Sequence, residues 1–238
     1  MKTRFILTSF LLIMAISACK KDNYQSPDAG LYGNIIDAAT GKSVPQQTNI
    51  NGGYMQIFQT DYSTTPTANQ TALNIDGSYT SDFIFGGQYK VVLTGPFFYI
   101  DTLNVKVSGK TKLDIKVVPY LTVSCELLGK TSTSISVRVK VTQPAQNTQK
   151  IARVAAVAGT FNTIDINNYD NVSQNGNGRA ITNVQGVANT DVVVTNYDYT
   201  LSDLKPGTLY YVRGCSRTLN NGNYYNYSTM LEVTTNPQ

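Results

Sequence analysis

Leu201-Ser-Asp-Leu-Lys-Pro-Gly-Thr-Leu-Tyr-Tyr-Val-Arg213 reads as a tight corner that feeds a β-strand. Pro206-Gly207 supplies the turn, Leu204 is an apolar plug beneath it, and from Leu209 onward successive side chains point to opposite faces. Tyr210 and Val212 share the face expected to enter a core, while Leu209, Tyr211 and Arg213 share the other. A tyrosine at such a corner packs its ring inward and returns its hydroxyl to the chain just upstream.

Working back from this corner, residues 121–127 and 134–141 alternate, with Ile135, Val137, Val139 and Val141 on one side, and residues 151–158 form a mostly apolar strand. Residues 197–201 lead into the corner, and a last strand around residues 227–234 closes the sheet. The intervening segment 161–196 is rich in Asn, Gly and Asp and is longer than a simple connection needs, so it is expected to hold an extra edge strand or a binding loop. With its Leu-x-x-Leu-x-Pro-Gly-Thr-x-Tyr spacing, the stretch from Leu121 to Thr235 resembles a fibronectin type III domain, an immunoglobulin-like sandwich, and the corner corresponds to the turn between its strands E and F. Val118-Pro119-Tyr120 is a rigid junction that starts this domain, because proline fixes φ and restricts the residue before it.

Upstream of the junction lies another set of short strands. Leu31-Tyr-Gly-Asn-Ile-Ile-Asp37 is one, followed by a turn through Gly41, and residues 54–59 make a second. Residues 60–71 are polar and read as a loop, Ile75-Asp-Gly-Ser-Tyr79 is a turn, and residues 88–94 place Tyr89, Val91 and Leu93 on one face. Leu103, Val105 and Val107, then Leu113, Ile115 and Val117, are expected to pair as a hairpin across Ser108-Gly109-Lys110, with Lys106, Lys112 and Lys116 along its wet face. Gly33-Asn-Ile-Ile-Asp37, Thr40-Gly41, Val44-Pro45, Asp76-Gly-Ser-Tyr79 and Gly87-Gln-Tyr89 are together similar to carboxypeptidase regulatory-like, or prealbumin-like, seven-stranded domains. The expected fold is thus all-β: two tandem β-sandwiches over residues 28–118 and 119–238.

The chain opens with an address. Lys2 and Arg4 precede an apolar run that ends at Ile16-Ser-Ala-Cys19, which reads as a lipoprotein signal peptide over residues 1–18 with Cys19 as the acylated N-terminus. Residues 19–27 are a polar, aperiodic tether, so the expectation is a protein soluble in build and held to membrane lipid through Cys19. Loss of Lys2 and Arg4 leaves 17 basic against 15 acidic side chains, and no basic cluster interleaved with aromatics stands out, so nucleic acid is not an expected partner.

The absence of histidine removes Ser-His-Asp and Cys-His nucleophile systems and the histidine-containing zinc sites of most hydrolases. Glu126 and Glu232, the only glutamates, fall on the first and last strands of one sandwich and form no obvious glycosidase pair. No catalytic residue, metal or cofactor is expected. Asp165-Ile-Asn-Asn-Tyr-Asp170-Asn171 offers hard oxygen donors but lacks the glycine turn and terminal glutamate of an EF-hand, which favours an ordinary polar loop. Cys125 falls in phase with Leu121 and Val123, and Cys215 with Leu209, Tyr211 and Arg213, so two unpaired thiols are expected.

Two aromatic groups suit sugar, whose C–H faces lie on rings while amides at the rim meet hydroxyls. One is Asn220-Asn-Gly-Asn-Tyr-Tyr-Asn-Tyr227, giving Tyr224, Tyr225, Asn221 and Asn223, with Tyr211 and Arg213 beside them, as candidate glycan contacts; the other is Phe97-Phe-Tyr99, which also suits a buried cap or a contact between domains. Tryptophan, the strongest sugar platform, is missing.

With the lipobox, Gly30-Leu-Tyr-Gly33, Asp76-Gly77, Gly95-Pro-Phe97 and Val118-Pro-Tyr120 resemble small Bacteroidetes lipoproteins of unassigned function, of the domain-of-unknown-function 3823 type, found beside SusC/SusD glycan-uptake pairs. That resemblance implies an outer-membrane lipoprotein of the cell envelope, most often facing outward, and an accessory, non-catalytic part in polysaccharide capture. Lys20-Lys-Asp22 departs from the acidic tag that commonly follows the cysteine in surface lipoproteins, which leaves the periplasmic face open. The alternative is a structural subunit that docks on a transporter complex through its fibronectin-like sheet or residues 161–196.

Overall fold

The computed structural model describes residues 26–47, 51–170 and 178–238. Cys19 and the signal segment lie outside the described residues, as do Lys20, Lys21, Asp22 and Asn171. Among the described residues no helix is long and apolar enough to cross a membrane.

The architecture is two β-sandwiches in tandem. In the first, β1 (Ala29–Asp37) lies between β4 (Ser78–Ile84) on one side and β7 (Lys110–Lys112) with β8 (Ile115–Val117) on the other. The facing sheet runs β3 (Asn69–Ala72), β2 (Tyr54–Gln59), β5 (Gly87–Thr94), β6 (Leu103–Val107). Leu31, Ile35, Met55, Ile57, Tyr79, Tyr89, Val91 and Leu93 fill the space between them, each from the inward face of its pleat.

Two expectations about this domain are corrected. Residues 60–71 are not all loop, because Asn69–Ala72 adds antiparallel to β2 as an edge strand despite its polar composition. Residues 103–117 do not form a hairpin. β6 pairs with β5, whereas β7 and β8 run parallel to β1 in the opposite sheet, so the chain crosses the sandwich at Ser108-Gly109. Gly109, with φ of 55°, takes the left-handed turn there, and its carbonyl accepts from the Gly30 amide at 2.9 Å. Lys106 therefore sits on a different sheet from Lys112 and Lys116, and the three do not form one stripe.

β7 and β8 are one strand with a kink. At Leu113 the chain presses so close to β1 that a Cβ on Gly33 would lie 2.0 Å from the Leu113 carbonyl oxygen. Asp114, turned out of the ladder, accepts from the Asn34 amide at 2.9 Å and meets Lys112 at 3.0 Å.

In the second sandwich the sheet β13 (Tyr197–Leu201), β10 (Ile135–Thr142), β9 (Thr122–Lys130) faces the sheet β12 (Arg179–Asn183), β11 (Ile151–Gly159), β14 (Leu209–Thr218), with β15 (Asn226–Tyr227) and β16 (Leu231–Thr234) along the far side of β14. The corner is as expected. Gly207 has φ of 60°, Leu204 is buried, and the hydroxyl of fully buried Tyr210 accepts from the Lys205 amide at 2.9 Å.

Segment 161–196 supplies the extra edge strand, β12, and one short helix, α1 (Asn189–Val194), whose Val192 closes the end of the core. Its first part does something the alternation did not indicate. Ile164 and Ile166 lie over the outer face of β11 and β14 and make a second apolar layer with Ala155, Val157, Cys215, Tyr225 and Tyr227. The central sheet is consequently buried on both faces beyond Arg153, which accounts for the apolar run from Val154 to Ala158 along β11.

Cys125 and Cys215 are free. They lie on different sheets: Cys125, on β9, packs against the inner core near Gly214, and Cys215, on β14, sits in the outer layer. Burial pushes the Cys125 thiol up to about 12 and that of Cys215 higher still, which keeps both as inert thiols at neutral pH.

Candidate functional site at the junction of the sandwiches

The junction is built from three segments that meet. Pro96 at the end of β5 accepts from the Tyr120 amide at 3.0 Å, the Phe98 amide donates to Val118, and Phe97 forms a bridge with Pro119. Asn226 then ties in the far end of the second domain: its amide group donates to the Pro96 carbonyl at 2.9 Å, and its side-chain oxygen accepts from the Leu121 amide at 3.0 Å. A short proline-fixed linker is thereby clamped by one buried asparagine, which needs both its donor and its acceptor to do this.

As a result, the two aromatic groups separated by more than a hundred positions in the chain come together. The Phe98 and Tyr120 rings meet edge to face with centroids 5.1 Å apart. The Tyr120 hydroxyl is raised from its ordinary range by burial and by neighbouring Tyr224, and that of Tyr224 by burial and by neighbouring Tyr54. Tyr54, Phe98, Tyr120 and Tyr224 are each half-buried, and Tyr99 beside them is 74% exposed. Phe97 is the buried member of its triplet and belongs to the first core.

On the other side of the 219–223 loop lies a polar cleft of about 370 Å³, lined by Gln47 and Asn51 from the first sandwich and by Arg153, Asn167, Arg217, Asn223 and Tyr225 from the second. The loop itself is shaped by Asn220. Its side-chain oxygen accepts from the Tyr224 amide and its nitrogen donates to the Tyr224 carbonyl, both at 2.8 Å, so the turn is held from inside. Gly222 (φ 99°) and Asn223 (φ 56°) take left-handed conformations at the tip.

Of the residues singled out from sequence, Asn221 and Asn223 are exposed and Tyr224 is half-exposed. Tyr225 and Arg213 are in the interior, a correction to their reading as surface contacts. Tyr225 is 7% exposed because its ring closes the outer apolar layer, with the Arg217 guanidinium 5.6 Å above it. Arg213, 1% exposed, lies on the outer face where Ile164 covers it. Its guanidinium stacks 4.2 Å from the Tyr227 ring and donates to three carbonyls: Gln46 across the domain boundary at 3.0 Å, Ser228 at 3.3 Å and Ile164 at 3.4 Å. Burial pushes it down to about 10. Tyr211 is half-buried against the same layer. The signal missed was the apolar run from Val154 to Ala158 on β11, which implied a covered outer face opposite Arg213 and hence a buried Arg213.

Asp165 is also spent internally, accepting from the amides of Asn167 at 2.7 Å and Asn168 at 2.9 Å, so its loop is a turn. Glu126 lies on the exposed edge strand near Arg138 and Lys140. Among the described residues no three His, Cys, Asp or Glu side chains converge as a metal would require.

The fold and the junction define a class: a tandem two-sandwich protein whose domains are clamped together, with an aromatic patch and a polar cleft at the seam. Residues 29–118 match the family model described as protein of unknown function (DUF3823) N-terminal domain. Three solved structures extend the likeness over both domains. A DUF3823 family protein from Bacteroides uniformis is 20% identical with a TM-score of 0.74, over 88% of this chain and all of that one. One from Parabacteroides merdae is 18% identical with a TM-score of 0.70, again over 88% of this chain and all of the other. A further Bacteroides uniformis protein, described as a candidate carbohydrate binding protein, is 20% identical with a TM-score of 0.69, covering 87% of this chain and 99% of its own. At such identities the likeness establishes the shared fold. No curated protein matches the chain.

Proposed function

We propose that this protein is a non-catalytic, lipid-anchored accessory protein of the outer membrane that holds polysaccharide at the seam of its two sandwiches. The observation that carries this reading is the convergence of Phe98, Tyr120 and Tyr224, partly exposed rings from three segments, beside a cleft rimmed by Asn51, Asn167 and Asn223. Partly exposed rings offer an apolar face at low entropic cost, and amides with both donors and acceptors meet sugar hydroxyls. Both walls are preformed, because Asn226 and Asn220 fix the segments that carry them. The structural relative described as a candidate carbohydrate binding protein supports the same reading. Cys19 would hold the site at the membrane, where a SusC/SusD-like transporter pair is the partner that would take up captured glycan.

The test is affinity electrophoresis of the purified protein against a panel of plant and host polysaccharides, with co-purification from membranes run alongside. Retardation by at least one polysaccharide supports the proposal. Retardation by none, with a transporter pair recovered on co-purification, would replace it with a purely structural docking role.

A further inference from the structure

The outer face of the central sheet carries an unusual load of positive charge. Arg153 on β11 and Arg217 on β14 are direct cross-strand partners, and like charges placed opposite each other destabilise a sheet. Arg213 lies on the same face of β14, and Arg179 on the same face of β12. Arg179 and Arg213 are absorbed into the fold, the first stacked 4.4 Å from the Tyr169 ring and bonded to the Ile166 carbonyl, the second bonded as described. Arg153 and Arg217 remain partly exposed, Arg217 with its guanidinium 5.6 Å from the Tyr225 ring.

Both line the polar cleft, and among the described residues no acidic one lines it with them. Their hydrogen bonds within the protein go to neutral amides: Arg153 to the Asn183 side chain at 3.1 Å, and Arg217 to the side chain of Asn223 at the loop tip. Among the described residues the buried Nε of Arg217 has no hydrogen-bond partner, as is also true of one terminal nitrogen of Arg213, but Arg217 alone of the two opens on the cleft. Two guanidinium groups on paired strands, one of them short of an acceptor and both without a carboxylate among the described lining of their cleft, form a complement to an oxyanion with paired oxygens.

We infer that the Arg153–Arg217 cleft recognises the acidic group of an anionic saccharide, a uronate carboxylate or a sulfate ester, so that the glycan captured at the seam is an acidic one. This rests on the glycan-binding reading above and narrows its ligand class. Neutral residues of the chain would lie on the Tyr120 and Tyr224 side, and the charged substituent would enter the cleft between Asn223 and Asn51. Bound there, it would relieve the repulsion between the two arginines, and binding would weaken as salt rises.

The experiment is calorimetric titration of the purified protein with oligomers of galacturonate, of chondroitin sulfate and of a neutral β-glucan, at low and at moderate salt. Arg153→Gln, Arg217→Gln and a distant control, Lys116→Gln, are measured in parallel, with the melting temperature of each. We expect at least one acidic oligomer to bind at least tenfold more tightly than the neutral one, and the galacturonate and chondroitin arms separate carboxylate from sulfate. Either arginine change should reduce that affinity at least tenfold, while the control leaves it within twofold. If Arg217→Gln disturbs the loop and lowers the melting temperature, Arg153→Gln alone carries the decision. Equal binding of neutral and acidic oligomers would overturn the inference and leave the glycan role standing. Loss of affinity in the control equal to that in the arginine variants would reduce the effect to net charge and overturn it too. Binding of none of the three would overturn the inference outright, and the broader polysaccharide panel would then decide the glycan role separately.

Discussion

Replacing Arg213 with methionine sets three terms of comparable size against one another. The side chain donates to Gln46, Ser228 and Ile164 at 3.0, 3.3 and 3.4 Å. A hydrogen bond from a charged donor contributes about 1.5–3 kcal/mol, so one well-placed bond and two long ones are together worth about 4 kcal/mol. The stacking on Tyr227 at 4.2 Å adds about 2 kcal/mol in a desolvated setting. Against this stands the cost of holding a charge in the interior. Burial lowers Arg213 from 12.5 to about 10, and at about 1.4 kcal/mol for each pH unit that cost is roughly 3 kcal/mol, which methionine would relieve. The net expectation is a loss of about 2–3 kcal/mol, or a fall in melting temperature of roughly 5–10 °C for a chain of this size. Because the Gln46 bond is the one that crosses the domain boundary, the calorimetric endotherm should also broaden or divide as the sandwiches lose coupling. Scanning calorimetry of the wild type and Arg213→Met reads both effects. An unchanged or raised melting temperature would refute the reasoning, since it would mean that relief of the buried charge outweighs the contacts, as it does for some buried ion pairs.

Three further outcomes follow from the same structure. Tyr210→Phe removes the acceptor of the Lys205 amide inside the corner and should cost about 1–2 kcal/mol by urea unfolding, with the fold retained. Gly33→Ala would drive a methyl group to within 2.0 Å of the Leu113 carbonyl oxygen; this backbone clash should cost more than about 3 kcal/mol or prevent recovery of folded protein, whereas Gly129→Ala, with nothing nearby, should be tolerated. Cys125, raised from 9.0 to about 12 by burial, keeps its proton when folded and loses it when unfolded, so its contribution is full below pH 9 and declines as pH rises from there through 12. At pH 10 that decline is on the order of 1 kcal/mol, and Cys125→Ala should melt with a visibly shallower fall between pH 8 and pH 10 than the wild type.

The sequence carried the fold where local chemistry has only one use. Pro206-Gly207 with Leu204 and Tyr210 specified the corner, and strict alternation from Ile135 to Val141 and from Tyr89 to Leu93 specified core faces. It failed where pairing is non-local. Residues 103–107 and 113–117 alternate equally well as a hairpin or as strands in opposite sheets, and the choice rests on Gly33 admitting the Leu113 backbone against β1. Asn69–Ala72 has no apolar pattern because its strand is an exposed edge held by backbone bonds.

The candidate site was half legible. Tyr224 and Phe97-Phe98-Tyr99 stood out by composition, but that they meet depends on Asn226 and Tyr120, each unremarkable in sequence. Arg213 looked exposed because alternation assigns one face of a strand to solvent, and Tyr225 because it sits in an Asn- and Gly-rich loop; Ile164 and Ile166 cover that face, and only the apolar run of β11 hinted at it.

The most direct test of the central claim is the affinity of the protein for whichever polysaccharide the panel selects, measured by calorimetry beside a Tyr120→Ala, Tyr224→Ala double variant whose fold is checked by its circular dichroism. The account predicts that the wild type binds and that the variant loses at least tenfold, about 1.4 kcal/mol, by removal of the ring faces. Equal affinity in the folded variant would contradict the placement of the glycan at the seam of the two sandwiches.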